Sequence, residues 1–291
     1  TIDDITFKKG DIEKIVAAVE ALTKREELKG RTLRCIAVAS PGKIDKKSGK
    51  FILNPRFREI GNISLQAVFE EAFGCKVVIK NDINLALLGE KMYGGVLKNV
   101  QNALMLHVDV GMGAALLIDG KVYEGSHGFA GEIGYFKLNM LLSDENNYGN
   151  LNYGNYYDST SLFSVLSIVK REISLGTETV LKDWLEASGR SWDDVTIDEL
   201  LKAYRLKDAL VVRAIHSAAR VIGTFASSMS EFLDLDTVIL IGSVTGLGKE
   251  YLKYISKYAK NCPVVFSELG SDATIMGTIN AGILAVFDGL L

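Results

Sequence analysis

The 291-residue chain is poor in several reactive residue types, with three cysteines, three histidines and three prolines. The cysteines, Cys35, Cys75 and Cys262, are far apart and stand in apolar surroundings. Such spacing indicates buried thiols in a reducing compartment, and it predicts neither a disulfide framework nor a cysteine metal site. We therefore expect a cytoplasmic protein.

The chain also lacks a large excess of either charge, because 33 basic and 36 acidic residues give a net charge of −3, and it contains no block of like charge. This balance does not favour nucleic acid or an anionic membrane as a partner, so DNA binding would need a different segment. No uninterrupted apolar stretch reaches the about 20 residues that span a bilayer, and the first ten residues are too polar for a signal peptide.

What is present is a large apolar content, 48%, which suffices for a substantial core and favours two lobes. Apolar runs of strand length alternate with segments of helical spacing, which predicts a sheet with helices packed on it. The predicted strands are 33–39, 51–53, 77–80, 104–108, 114–118, 121–123, 237–241 and 264–266. The predicted helices are 11–28, 63–73, 83–92, 161–173, 178–187, 197–204, 209–232, 246–257 and 273–287.

The stretch 107–135 is the centre of this pattern, with a strand, a glycine turn, a hairpin and a loop that carries one carboxylate. Asp119-Gly120 predicts a type I′ turn, which requires two positive φ angles. Gly111 and Gly113 allow a sharp bend at which an anion can approach backbone N–H groups. For an isolated G-x-G pattern we favour the simpler interpretation, a tight turn, because the spacing is common.

Asn81 and Asp82 follow the predicted strand 77–80, at the end where open α/β sheets place their ligands. Asp82 is suited to act as a general base toward a substrate hydroxyl that Asn81 holds in position. Alternatively, Asp82 caps the helix that begins at Ile83. The dipeptide supports both interpretations equally.

Five segments together, in this order, carry a family resemblance: ASPGKID, KNDINLALLGE, VDVGMGAALLIDGKVYEGSHGFAGEIGY, VILIGSVTGLG and SELGSDATIMGTINAGI. The chain resembles the repressor, open-reading-frame and kinase (ROK) family, an α/β fold of the two-lobed actin-like or ribonuclease H-like ATPase class. The resemblance implies a smaller lobe, 1–105, whose first strands are missing and onto which the C-terminal helix 273–291 packs back. It also implies a larger lobe, 106–272, and a sugar-binding cleft that closes by a hinge motion.

The resemblance assigns roles to individual residues. Asp82 corresponds to the catalytic aspartate, which in kinases deprotonates the sugar hydroxyl. Asn81 and Glu132 correspond to ligands of sugar hydroxyls, and Pro41-Gly42 corresponds to another wall of the sugar site. His127 is a candidate sugar contact, although a single loop histidine is more often solvated. The cofactor-binding glycines, should a nucleotide bind, are Gly111 and Gly113 in the second phosphate loop and Gly242 near the adenosine.

Several departures separate this chain from the family's kinases. The first phosphate motif, Asp-x-Gly-Gly-Thr-Lys, is absent, and phosphoryl transfer depends on gripping the phosphates and Mg²⁺. The second loop, Gly-Thr-Gly-Ile-Gly-Gly in kinases, reads DVGMGA at 109–114. A histidine that contacts zinc and sugar is replaced by Tyr135, and an asparagine- and tyrosine-rich segment, 139–158, replaces the zinc cysteines. We expect no bound zinc.

Three functions follow from the resemblance. The first is the sugar-binding effector domain of a regulator of the xylose or N-acetylglucosamine repressor type, in which Asp82 is a vestige of the base. This domain would bind a monosaccharide, need no cofactor, form a homodimer or homotetramer, and reach DNA only through an upstream helix-turn-helix. The alternative is an ATP- and Mg²⁺-dependent hexose or N-acetylhexosamine kinase with Asp82 as base, and the third is a degenerate sugar-binding or scaffold protein. The altered second loop favours the regulator.

Overall fold

The computed structural model describes residues 9–45, 50–52, 63–135 and 160–287. The chain divides into two compact units. The first comprises Thr1–Lys98, Val122–Ala130 and Asp272–Leu291, and the second comprises Asn99–Lys121 and Gly131–Ser271. Each unit is described separately below.

The first unit is built on two parallel strands and one short hairpin. Strands β1 (Cys35–Ser40) and β4 (Lys76–Asn81) pair in parallel, and β2 (Lys43–Ile44) pairs antiparallel with β3 (Phe51–Ile52). The helices of the unit are α1 (Lys9–Thr23), α2 (Leu65–Phe73), α3 (Asp82–Tyr93) and, from the end of the chain, α9 (Ala273–Phe287). Ile12, Leu65, Phe69 and Val77 form its buried cluster, in which apolar faces of α1 and α2 meet β4.

Helix α1 is shorter than the predicted helix 11–28, because it ends at Thr23 and is followed by a 3-10 turn, Glu26–Leu28. The Thr23 hydroxyl donates a hydrogen bond to the carbonyl oxygen of Glu20, one turn back. The following residues, 24–27, are all charged, so a continued helix would have no apolar face to bury. The prediction was therefore wrong by about one turn.

Helices α3 and α9 touch along their backbones, and glycine makes this possible. A Cβ atom on Gly277 would lie 1.7 Å from the carbonyl oxygen of Leu85, and one on Gly89 would lie 2.1 Å from that of Ala273. Both distances are far below van der Waals contact, so only glycine fits at either position. This pair of helices holds the carboxyl end of β4 in place, since α3 begins directly after that strand.

A five-stranded sheet has the order β7-β6-β5-β8-β9, and four of its strands, β5, β6, β8 and β9, lie wholly in the second unit. Its strands are β5 (Ala103–Val108), β6 (Met112–Ile118), β7 (Lys121–Tyr123), β8 (Thr237–Ile241) and β9 (Val264–Phe266). The central strand β5 pairs antiparallel with β6 and parallel with β8. Asp119 and Gly120 have φ angles of 50° and 72°, which confirms the predicted type I′ turn.

Helices cover this sheet with a continuous apolar core. They are α4 (Leu162–Ser174), α5 (Val180–Ser188), α6 (Ile197–Arg205), α7 (Ala209–Leu233) and α8 (Gly248–Ser256). Helix α7 is long and apolar enough to cross a membrane by length and composition, but 61% of its most apolar window is buried, as in an ordinary core helix. The predicted helix 246–257 is confirmed as α8, but it begins two residues later, at Gly248, because Ser243–Leu247 form a 3-10 turn and Gly248 has a φ of 75°, which is not the φ of a regular helix.

Candidate functional site

Strands β1 and β4 end side by side, which brings two of the predicted site segments together. Their parallel register pairs Ser40 with Asn81, so the residues that follow each strand leave the sheet at the same edge. Gly42 has a φ of 83°, and its carbonyl oxygen accepts a hydrogen bond of 3.4 Å from Nδ2 of Asn81. Pro41, beside it, is exposed. The carboxyl ends of parallel strands are the usual place for a ligand in α/β sheets.

Asn81 also begins helix α3. Its Oδ1 accepts hydrogen bonds of 3.0 Å from the backbone N–H groups of Ile83 and Asn84, so Asn81 is the N-cap. The alternative that Asp82 is the capping residue is therefore wrong. Asp82 is the first residue of α3 and is half-buried, and its Oδ1 accepts a further hydrogen bond of 2.9 Å from Ile83. Because a cap fixes the side-chain torsions of Asn81, its Nδ2 is held toward Gly42.

A pocket of about 210 Å³ opens beside this edge. This volume is below the about 300–1,000 Å³ of pockets for drug-sized ligands, so the pocket suits a small molecule. Gly42 and Asn81, which the sequence predicted as site residues, contribute to its wall. Side chains that exchange hydrogen bonds dominate the lining, which includes Asp45, Gln66, Lys80, Asn81, Asn84 and Glu124. A polar solute of the size of a monosaccharide matches both properties.

One wall of the pocket is tied in place by an ion pair. Lys80 Nζ lies 2.6 Å from Glu124 Oε1, and the two side chains are 41% and 23% exposed. Glu124 is the first residue of a loop that ends at Ala130. The backbone carbonyl oxygen of Glu124 closes this loop by accepting a hydrogen bond of 3.3 Å from Ala130 N–H. Gly128, within that loop, also lines the pocket. The ion pair therefore joins β4 to the loop 124–130.

Asn84 carries an unsatisfied acceptor at the pocket wall. The residue is 7% exposed, and its buried Oδ1 has no hydrogen-bond partner among the described residues. A buried, unpaired amide oxygen costs about 1–3 kcal/mol, so its presence calls for a donor from a ligand or an ordered water. Sequence reasoning missed Asn84, although the N-x-x-N spacing from Asn81 is a signal, since residues three apart lie on one face of a helix.

The remaining predicted contacts lie near the pocket or in the other unit. His127 is exposed, with its ring centroid 6.4 Å from that of Phe129, and its neighbour Gly128 lines the pocket. Glu132 belongs to the second unit, where it is half-buried. The sugar-binding roles of both residues stay predictions.

The glycine loop of the second unit contains an unexpected carboxylate. Asp109 follows β5, and its Oδ1 accepts a hydrogen bond of 2.8 Å from Val110 N–H. Its Oδ2 accepts hydrogen bonds from Ser243, of 3.1 Å from N–H and 2.8 Å from the hydroxyl. Two turns at the carboxyl ends of the neighbouring strands β5 and β8 are thus bridged by one side chain.

The three predicted nucleotide-site glycines differ in how strictly they are needed. Gly242 has a φ of 99°, and a Cβ atom there would lie 2.7 Å from the carbonyl oxygen of Val108. Gly111 is exposed, with no atom within 4 Å of an added Cβ, and its carbonyl oxygen accepts a hydrogen bond from Asp109 N–H. Gly113 is buried in β6 opposite His107. Of these three positions, only Gly242 requires glycine both for its backbone conformation and for the close approach of a neighbouring backbone atom.

Other reactive side chains have structural surroundings. Burial raises the pKa of the thiols of Cys35, Cys75 and Cys262, although only Cys262 is fully buried. His216 stacks on Tyr254 with ring centroids 3.7 Å apart, and burial lowers its pKa. Within the described ranges, His, Cys, Asp and Glu form no group of three that would hold a metal ion.

The segment 139–158, which the sequence analysis places where the zinc cysteines of the family stand, lies outside the described residues, and so does the side chain of Tyr135.

Comparisons with known proteins concern the family and the fold of the chain. The model of the ROK family matches residues 7–161. The xylose repressor of Caldicellulosiruptor bescii is 26% identical over 270 residues, which are 90% of this chain and 65% of the repressor. The chain therefore spans slightly less than two thirds of that relative's length.

Two solved structures show the fold. A ROK family transcriptional regulator, a homolog of the E. coli MLC protein, aligns with a TM-score of 0.79 at 21% identity, over 99% of this chain and 72% of that one. A ROK family glucokinase from Streptomyces griseus, in complex with glucose and AMPPNP, aligns with a TM-score of 0.77 at 21% identity, over 96% and 89%. The fold is the actin-like, ribonuclease H-like one shared by both kinds of protein.

Proposed function

The chain belongs to the ROK family, and from this we propose that it is the sugar-binding effector region of a transcriptional regulator. The similarity to the xylose repressor, which extends over 90% of the chain, supports a regulator. A monosaccharide is the proposed ligand, held by Asn81, Asp82 and Glu132 with the Gly42 turn, and Asn84 completes the set. His127 adds a contact from the exposed loop.

The observation that carries this proposal is the pocket beside β4. It is small, its lining is polar, and it contains the unsatisfied Oδ1 of Asn84. A sugar hydroxyl donates the hydrogen bond that this oxygen lacks, while Asn81 Nδ2 and Lys80 Nζ supply donors for other hydroxyls. Asp82, at the first position of α3, provides a carboxylate acceptor at the same edge. Binding and orientation need no proton transfer, so the arrangement serves an effector as well as a substrate.

The second candidate function is an ATP-dependent sugar kinase. Its support is the retained Asp82 at the end of β4, where a general base can reach a sugar hydroxyl, together with the fold shared with a glucokinase. The loop sequence DVGMGA at 109–114 favours the regulator, because it differs from the kinase pattern Gly-Thr-Gly-Ile-Gly-Gly at the first, second, fourth and sixth positions. ATP and Mg²⁺ are required only by this alternative.

Ligand screening by thermal denaturation tests the sugar proposal, since a ligand that binds only the folded state raises Tm. Aldohexoses, pentoses and N-acetylhexosamines at millimolar concentration should include at least one that raises Tm. Glu132→Gln should reduce that shift. Absence of a shift for every sugar, or an unchanged shift in the variant, would contradict the proposal.

An assay of ATP consumption with the same sugar separates the two candidates. The regulator proposal expects a background rate, with no change in Asp82→Asn. Turnover that Asp82→Asn abolishes would establish the kinase instead.

We propose that these 291 residues do not recognise DNA and that a separate DNA-binding segment does so. The protein is proposed to act in the cytoplasm as a homodimer or homotetramer. The net charge of −3 without a basic cluster supports this division. Paired DNA-binding units must lie roughly 34 Å apart to occupy successive major grooves. In gel-shift experiments the 291-residue chain should show no specific affinity for its operator. Sugar-sensitive binding by this chain alone, or a strictly monomeric mass, would contradict the assignment.

A further inference from the structure

The loop after β5 has the architecture of an anion-binding turn, but its donors are already used. Parallel strands β5 and β8 end next to each other, with His107 paired to Ile241, and each is followed by a tight turn. The turn after β8 contains Gly242, whose φ of 99° directs Ser243 N–H back toward the end of β5. Backbone N–H groups that converge at such an edge commonly bind anions.

Asp109 supplies the anion from within the chain. Its two carboxylate oxygens accept three hydrogen bonds, from Val110 N–H, Ser243 N–H and Ser243 Oγ–H, at 2.8, 3.1 and 2.8 Å. Hydrogen bonds to a charged acceptor are roughly twice as strong as those between neutral groups. The backbone of Asp109 is held as well, because its N–H donates to Gly111 and its carbonyl oxygen accepts from Leu162 N–H. The carboxylate is therefore fixed in its position.

We propose that Asp109 is a specificity-determining residue that fills the anion-binding turn of the second unit and excludes phosphate groups from it. A phosphate in this turn would have to displace the carboxylate from three donors and then remain beside its negative charge. At 4 Å, two like charges repel by about 1 kcal/mol in water and about 4 kcal/mol at an effective dielectric constant of 20. These two costs act together, so the turn discriminates against nucleotides through one side chain.

The proposal goes beyond the sugar-binding function, because it concerns a different unit and a different ligand chemistry. It attributes the exclusion of phosphate to a residue that is present, and not to a motif that is missing. It also predicts that removing the side chain creates a binding property, which a purely structural role for Asp109 would not do.

The experiment uses the 291-residue chain with tripolyphosphate as the probe, followed by thermal denaturation and by ³¹P NMR line broadening. The wild type should respond no more than to an equal ionic strength of chloride. Asp109→Ala should bind at least about ten times more tightly than the wild type, which corresponds to about 1.4 kcal/mol. Asp109→Asn, which removes the charge and keeps the shape, should also gain affinity and covers the case in which the alanine variant does not fold.

Asp236 offers a matched control in the same unit. Its Oδ2 accepts hydrogen bonds of 2.9 Å from the N–H groups of Gln101 and Asn102, at the opposite end of the same two strands. Asp236→Ala should lower Tm without gaining affinity for tripolyphosphate.

Three results would overturn the proposal: binding by the wild type, no gain in either folded Asp109 variant, or an equal gain in Asp236→Ala. None of them bears on sugar binding, which is measured separately on the same proteins.

Discussion

Lys80 and Glu124 form an ion pair of 2.6 Å that joins strand β4 to the loop 124–130 at the wall of the candidate pocket. The pair is partly exposed, so its contribution to stability is small, about 0.2–1 kcal/mol. Its importance lies in position, because the loop that it anchors also carries Gly128, which lines the pocket. Loosening the loop changes the shape of the pocket more than the stability of the unit.

We expect Lys80→Met and Glu124→Gln to lower the free energy of unfolding by no more than about 1 kcal/mol and to weaken monosaccharide binding by roughly 3- to 10-fold. The double charge reversal, Lys80→Glu with Glu124→Lys, should recover part of the binding, as measured by calorimetric titration. The exposed pair Lys253–Glu250, with N–O distance 3.0 Å, is the control. Equal losses of affinity in Lys253→Met would show that the effect is not local.

Asn84 should show opposite effects on stability and on binding. Asn84→Leu removes the unsatisfied buried oxygen and keeps the branched shape of the side chain, so the unliganded chain should be as stable as the wild type or more stable by up to about 2 kcal/mol. Sugar binding should fall by at least about tenfold, because the acceptor for a hydroxyl is gone. Denaturant unfolding and calorimetric titration on the same samples measure the two effects.

Asn280 in α9 is the control for that substitution. Its Oδ1 is likewise buried without a partner among the described residues, but it does not line the pocket, and its Nδ2 donates to the hydroxyl of Tyr93 at 3.3 Å. Asn280→Leu should leave sugar affinity unchanged. A loss of stability in Asn84→Leu without a loss of binding would mean that the oxygen serves the fold and not a ligand.

Sequence reasoning predicted elements better than the contacts between them. Strands such as β8, and the turn at Asp119-Gly120, depend on local periodicity and turn chemistry, so one segment contains the whole signal. The end of α1 was missed because the charged residues that follow Thr23 are compatible with a helix by propensity. They provide no apolar face that a longer helix could bury. The break at Gly248 required knowledge of its φ angle, which a glycine allows but does not impose.

The candidate site shows the same limit. Asn81 was predicted because it stands at a strand end, which can be located from one sequence, and Gly42 was predicted because the Pro41-Gly42 segment resembles a wall of the family's sugar site. Lys80 and Glu124 were missed, since 44 residues separate them and only folding pairs them. Asp109 was visible in the loop sequence, but its bonds to Ser243, 134 residues away, are a property of the sheet order.

The close approach of α3 and α9 gives a prediction about folding. Gly277→Ala would place a Cβ 1.7 Å from the backbone oxygen of Leu85, so the helices must separate. We expect a loss of about 3 kcal/mol or more in the free energy of unfolding, near the upper range for overpacking. Gly10→Ala is the control, because nothing lies within 4 Å of its added Cβ; it should be neutral or stabilising by up to about 1 kcal/mol. Equal urea midpoints for the two variants would contradict the close contact.

Arg190 and Glu199 lead to a prediction about pH. The Arg190 guanidinium lies 2.6 Å from Glu199 Oε1, and Glu199 Oε2 also accepts from Thr196 N–H at 3.0 Å, at the start of α6. The hydrogen bond from Arg190 is the main cause that lowers the pKa of Glu199 to about 2. A glutamate in an unfolded chain has a pKa of about 4.3. Between the two pKa values, the Glu199 carboxylate is therefore ionised in the folded state and protonated in the unfolded state.

The sign of the effect follows from this difference. Because the folded pKa is the lower one, the ionised carboxylate contributes its full stabilisation above about pH 4.5 and loses it as the pH falls toward about 2. Glu199→Gln should therefore reduce the free energy of unfolding by about 1–2 kcal/mol at pH 6, a value discounted for partial exposure, and by close to zero at pH 2. In an Arg190→Met background the same substitution should cost less at pH 6, since its main partner is gone. Urea unfolding at pH 6, 4 and 2 measures the difference, and a gap between wild type and Glu199→Gln that stays constant across this range would show that Glu199 acts by packing and not by charge.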